Sequence, residues 1–167
     1  MAKSDSFFIR ANVSNDGSAF AEQSIDLGAY VDALGKSVLR IHGVYVRVRG
    51  ANSTTLPAPG TDDTDTVFYQ LTTQSQSAIV NLTDKSVIAS GAYTVTNSQG
   101  LLTCIEDTLD EGPQMFTNGY LVGVEQIYLA IDCTDAFAAG CDVAIMMECT
   151  VETLSQSAAM ALALSQQ

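Results

Sequence analysis

Tryptophan is absent from the 167 residues, histidine occurs once, and all seven lysines and arginines lie at or before Lys85. Each shortage excludes something. With no tryptophan and 7% aromatics, the chain offers little stacking platform for a sugar ring. With His42 as its only imidazole and no Gly-x-Ser-x-Gly, GxGxxG or GxxxxGK[ST] segment, it carries neither a nucleophile elbow nor a phosphate-cradling loop. His42 sits mid-strand beside a glycine and reads as a surface or interface histidine. No enzyme is expected and no cofactor is implied.

Positive charge is the next shortage. Residues 1–85 hold seven bases against nine carboxylates, whereas 86–167 hold ten carboxylates and no base, so the net charge of −12 sits mostly in the second half. A surface of that sign repels phosphates, which disfavours direct nucleic-acid contact. No apolar run approaches the roughly 18 residues of a membrane-crossing helix. The opening MAKSDSFFIR lacks the apolar core of a secretion signal, so synthesis in a cytoplasm is expected. Cys104, Cys133, Cys141 and Cys149 are too few for a disulfide scaffold and too widely spaced for common zinc sites. Buried thiols are the first reading, with a Cys133–Cys141 bridge as the alternative pairing.

What is present is β-prone. The longest such stretch is Ser37–Gly50, SVLRIHGVYVRVRG, with four of the seven bases on it or just before it. Leu39 and Ile41 alternate with Arg40 and His42; Val44, Val46 and Val48 then alternate with Tyr45, Arg47 and Arg49. The phase slips at Gly43, which predicts a β-bulge that returns the three valines to the core. Arg40, Arg47 and Arg49 are expected to seek carboxylates, within the chain or on a neighbouring copy.

Along the chain, 7–13 and 19–27 read as strands around a turn at 14–18, with a bend near Gln23-Ser24. Residues 28–36 read as one or two helical turns closed by Gly35. Residues 51–66, rich in Ser, Thr, Pro, Gly and Asp, read as an exposed loop. Strands follow at 67–71, in two runs within 85–96, and at 101–105, with a short strand or turn near 78–80 and an acidic loop at 106–113. The runs 120–132 and 142–152 flank CTDAFAAGC and read as an antiparallel hairpin with Cys133 and Cys141 at its mouth. Residues 154–164 read as a short helix capped by Thr153 or Ser155, or as an added strand, since Met160, Leu162 and Leu164 alternate. About eight strands without long intervening helices predict a single all-β antiparallel sandwich over 1–167, with jelly-roll topology favoured and 153–167 as an apolar terminal helix or arm.

Candidate sites are few. Asp62, Asp63 and Asp65 resemble the opening of an oxygen-ligand calcium loop, without the glycine or closing glutamate of an EF-hand. Glu106, Asp107, Asp110 and Glu111 form a second acidic cluster. Asn12, Asn52 and Asn81 each begin an Asn-x-Ser/Thr triplet, of which Asn52 lies in the exposed loop. Arg40, Arg47, Arg49, Met160, Leu162 and Leu164 are the candidates for contact with other subunits.

Residues 25–46, IDLGAYVDALGKSVLRIHGVYV, together with the compact strand pattern, the acidic surface and the apolar tail, resemble the small single jelly-roll capsid proteins of icosahedral double-stranded DNA viruses of archaea or bacteria. The resemblance implies a non-enzymatic virion subunit. It would be present in many copies in a shell, beside other virion proteins and in some cases above an internal membrane. The chain departs from it in lacking a basic N-terminal arm. A tail-tube or decoration protein, and a carbohydrate- or calcium-binding sandwich, are the alternative readings.

Overall fold

A computed structural model describes residues 4–15, 20–32, 36–51, 54–108, 114–134, 137 and 140–167. Among these residues are nine strands and one helix: β1 (Phe7–Asn15), β2 (Ala21–Asp26), β3 (Ser37–Gly50), β4 (Asp63–Thr72), β5 (Val87–Ser98), β6 (Leu101–Thr108), β7 (Gln114–Val122), β8 (Gln126–Cys133), β9 (Cys141–Thr153) and α1 (Gln156–Ser165). One sheet is ordered β1-β9-β3-β7 and the other β2-β8-β4-β5-β6, with every pair antiparallel. With β6 set aside as the return strand of a β5–β6 hairpin, the remaining eight strands form the two four-stranded sheets of a jelly roll.

The core lies between the sheets and is built by alternation. Leu39, Ile41 and Val44 of β3, Val67 and Leu71 of β4, Ile127, Leu129 and Ile131 of β8, and Val143, Ile145 and Met147 of β9 are all buried. Each fully buried Leu or Ile contributes about 1.5–3 kcal/mol. β3 bulges where its glycine predicts: against β9 the pairing goes from Ile41–Cys149 to Gly43–Glu148, leaving His42 as the extra residue, while against β7 it goes from Ile41–Tyr120 to Gly43–Met115. Val44 and Val48 return to the core and Val46 packs against it.

The hairpin expected between 120–132 and 142–152 does not form. The first run is broken at Gly123–Glu125 into the end of β7 and all of β8, and β8 pairs with β2 and β4 while β9 pairs with β1 and β3. β8 and β9 each bury one apolar face, Ile127, Leu129 and Ile131 on one and Val143, Ile145 and Met147 on the other, and in a two-layer fold those faces meet across the core instead of lying side by side in one sheet. Three boundaries also move. β4 begins at Asp63 inside the expected loop, β5 runs unbroken through Ser90-Gly91, and β6 continues to Thr108 through the start of the expected acidic loop. Residues 78–80 are not a strand. They belong to the β4–β5 connection, which Gln70 fastens over the outside of β4, its side chain donating to the Val80 carbonyl at 2.7 Å and accepting from the Val80 N–H at 3.0 Å.

Of the expected 28–36 helical segment, the described residues 28–32 make a single turn, in which the Val31 N–H donates to the Leu27 carbonyl at 2.9 Å and Tyr30 stacks on Phe7 with centroids 4.8 Å apart. Its expected cap, Gly35, lies outside the described residues, as do Asp16–Ser18 of the first turn, Asn52, Asp110 and Glu111. α1 is capped by Ser155, whose hydroxyl accepts from the Ala158 N–H, and buries only Ala159 and Ala163 of its own residues. Among the described residues, no helix is long and apolar enough to cross a membrane.

Candidate functional site

The three β3 arginines face outward from the β1-β9-β3-β7 sheet but do not act as one group. Arg40 finds its carboxylate within the chain: Nε donates to Glu152 Oε1 at 2.8 Å and Nη2 to Oε2 at 2.7 Å, and Nη1 reaches the Asn118 carbonyl. This forked pairing raises the Arg40 pKa above its ordinary value, chiefly through the side-chain hydrogen bonds to Glu152. Gly119, at φ +71°, supplies the space. A Cβ there would lie 2.5 Å from Arg40 Cγ and 3.2 Å from the Ile41 carbonyl oxygen. Arg49 is held near the β3–β4 connection by the Thr54 carbonyl and stands opposite Asp142, whereas Arg47 is exposed opposite Ala144. Arg10 on β1 lies over the Phe8 ring, 5.7 Å from its centroid, and adds to this positive face. At the bulge, His42 Nε2 is 3.0 Å from the Thr150 hydroxyl.

The calcium-like triplet does not converge. Asp62, at φ +62°, accepts at 3.1 Å from the Gln99 N–H and also from the Gln99 side chain, thereby fixing the β5–β6 turn. Gln99 and Gly100 both have positive φ there, as a type I′ hairpin requires. Asp63 accepts from the Thr64 N–H, and Asp65 is buried. Among the described residues no three His, Cys, Asp or Glu side chains gather as a metal cage. A cleft of about 820 Å³ beside the second half of β3 is lined by Arg10, Arg47, Arg49, Tyr69, Tyr93 and neighbours, with no carboxylate, imidazole or thiol among the described residues of its walls.

The tail docks on its own sandwich through a residue the sequence pattern does not single out. Gln166 accepts from the Gly123 N–H at 2.8 Å and donates to the Leu121 carbonyl at 2.7 Å, while its own carbonyl accepts from Thr73 Oγ1 and Gln74 Nε2. Gly123 leaves room for Leu162 and the Ala163 N–H, each about 3.0–3.1 Å from where a Cβ would stand. Met160 and Leu164 stay exposed on the other side of α1. Replacing Gln166 with Ala leaves the Gly123 N–H and the Leu121 carbonyl without their partner and is expected to cost about 1–3 kcal/mol. Hydrogen exchange should then show α1 opening while the strands stay protected; equal loss of protection in β3 and β9 would make the tail part of the global core.

β6 carries exposed apolar side chains at its start. This fifth strand lies beyond β5, and among the described residues the opposite sheet has no fifth strand to face it. Residues 101–105 are accordingly exposed on both faces: Leu101 at 71% and Ile105 at 67% on one, Leu102 and Cys104 on the other. Its outer backbone edge has no neighbour among the described strands, and residues 101–105 contain neither a charged residue nor proline to guard that edge.

No protein-family model matches the chain, and no curated protein matches it. Among solved structures the chain is similar to one from desmodium yellow mottle tymovirus, at 10% identity with 90% of this chain and 89% of that one covered and a TM-score of 0.38. It is also similar to VP1 of trichodysplasia spinulosa-associated polyomavirus in complex with GM1 oligosaccharide, at 8% identity over 89% and 96% of the two chains with a TM-score of 0.46. A third, from turnip yellow mosaic virus, shares 15% identity over 90% and 97% with a TM-score of 0.34.

Proposed function

We propose that the chain is a structural virion protein, a jelly-roll capsid subunit that associates with further copies of itself into a closed shell. The observation that carries this reading is β6, a strand with exposed apolar residues on both faces and an outer backbone edge that no described strand covers. In a lone soluble sandwich such an edge invites uncontrolled pairing, whereas in an assembly it is covered. The arginine-bearing face of β1 and β3 supplies a complementary contact for a chain whose carboxylates outnumber its bases 19 to 7. In this reading, which the resemblance of residues 25–46 supports, the subunit belongs to a double-stranded DNA virus of archaea or bacteria, is made in the host cytoplasm and carried in the virion, and in some shells stands above an internal membrane. Arg47 and Arg49, with Met160 and Leu164 on the exposed side of α1, are the further subunit contacts in this reading.

Size-exclusion chromatography with light scattering on the purified chain, followed by negative-stain imaging, tests it. Concentration-dependent multimers or closed particles are expected. A strictly monomeric protein at high concentration, across low and high salt, would overturn the proposal.

A further inference from the structure

Cys133 ends β8 and Cys141 begins β9, so the two thiols belong to different sheets. Cys133 pairs with Val67 at the first rung of β4 on β8, and Cys141 stands at the last rung of β9 with both Asn15 of β1 and Gly50 of β3. Both are buried and their sulfurs are 3.1 Å apart, with the Asn15 side-chain amide 3.9 Å from Cys133 Sγ. An S–S bond is about 2.05 Å long, so roughly 1 Å of approach separates the dithiol from a covalent bridge. The other two cysteines differ in kind. Cys104 is exposed on β6, and Cys149 is buried alone, its thiol pushed up to about 12 by burial and by the charge of Glu148.

We infer that Cys133 and Cys141 form an intramolecular disulfide under oxidising conditions, a covalent clasp between the two sheets at one end of the sandwich. The reaction is thiol–disulfide exchange with a small disulfide such as oxidised glutathione. One cysteine, as thiolate, attacks a glutathione sulfur; the glutathione S–S bond breaks and a mixed disulfide forms as the first glutathione leaves. The second cysteine, as thiolate, attacks the protein-side sulfur of that mixed disulfide and expels the second glutathione. The two cysteine protons end on the two glutathione thiols, so the protein loses two electrons and oxidised glutathione gains them. Because both sulfurs are buried, exchange waits on local opening of the strand ends. The clasp stands independently of the capsid reading. If both hold, the chain folds as a dithiol in a reducing cell and its sandwich is locked once the particle leaves.

The test incubates the full chain carrying Cys104→Ser with oxidised glutathione and maps it by non-reducing peptide mass spectrometry. A cross-linked Cys133–Cys141 peptide, lighter by two hydrogens and restored by dithiothreitol, is expected. The oxidised protein should melt about 5–10 °C higher than the reduced one, as a short closed loop in a chain of this size implies. At concentrations where it is monomeric, the unmodified chain gives a parallel readout, in which Cys104 alone is labelled rapidly by a thiol reagent. Thiols still free at both Cys133 and Cys141 after prolonged oxidation, or bridges joining only other pairs, would overturn the inference; either result is readable without any variant that might misfold, since the unmodified chain can be mapped in the same way.

Discussion

Replacing Leu101 and Ile105 together with lysine is expected to convert the multimers into monomers while the sandwich stays folded. Both side chains are largely in water in the isolated subunit, so their loss should move stability by only about 0.5 kcal/mol. In an assembly that lays another strand along β6 the same residues become buried, and each is then worth about 1.5–3 kcal/mol. Losing both, and placing two charges on the edge, should weaken association at least about a hundredfold. Sedimentation velocity at matched concentrations reads the effect directly, with thermal melts as the control for folding. Unchanged multimers would remove β6 from the assembly surface. Multimers that vanish together with the melting transition would show that β6 stabilises the sandwich itself. Cys104, on the opposite face of the strand, gives a second reading of the same contact: its labelling should be fast in the double variant and slow in assembled wild-type protein.

What the sequence made legible follows how local the cause is. The β3 bulge could be read because the slip from Ile41 to Val44 and the glycine that permits it are adjacent in the chain. The cap of α1 at Ser155 is equally local. The end of β7 was not legible, because Gly123 is needed there to admit Leu162 and Ala163, some 40 residues later. Nor was Gln166, a lone polar residue after an alanine–leucine run, whose bonds to Leu121 and Gly123 exist only once the helix folds back. Asp62, Asp63 and Asp65 suggested one exposed loop because carboxylates are rare in strands; here Asp62 braces a hairpin turn and β4 begins one residue later. The 120–132 and 142–152 runs read as strands because both are β-prone, but that composition does not say which neighbour each takes or that the first breaks at Gly123–Glu125, so the expected lateral pairing does not form. The nearness of Cys133 to Cys141 is common to both arrangements, since the expected hairpin and the observed crossing each bring these two strand ends together. Of the arginines, only the need for carboxylates was visible; that Arg40 is answered by Glu152 depends on β3 lying beside β9.

The largest single-residue effect on folding outside the core is expected at Gly119. An alanine there meets two penalties at once. The backbone φ of +71° costs an L side chain about 1–2 kcal/mol, and the new Cβ would stand 2.5–2.6 Å from Arg40 Cγ and Cδ. Arg40 can yield only by leaving Glu152, which is largely buried and would then lack the guanidinium that faces it. The sum should be about 2–4 kcal/mol, visible as a lower urea midpoint with little change in slope. Arg40→Ala alone removes the ion pair but keeps the glycine, and the double variant separates the two causes. If the clash with Arg40 dominates, Gly119→Ala costs less in the Arg40→Ala background than in the wild type, because the crowded methylenes are gone. If backbone conformation dominates, the two costs add. A Gly119→Ala protein as stable as wild type would mean that β7 can shift away from β3 at this point without disturbing the Arg40–Glu152 pair between β3 and β9.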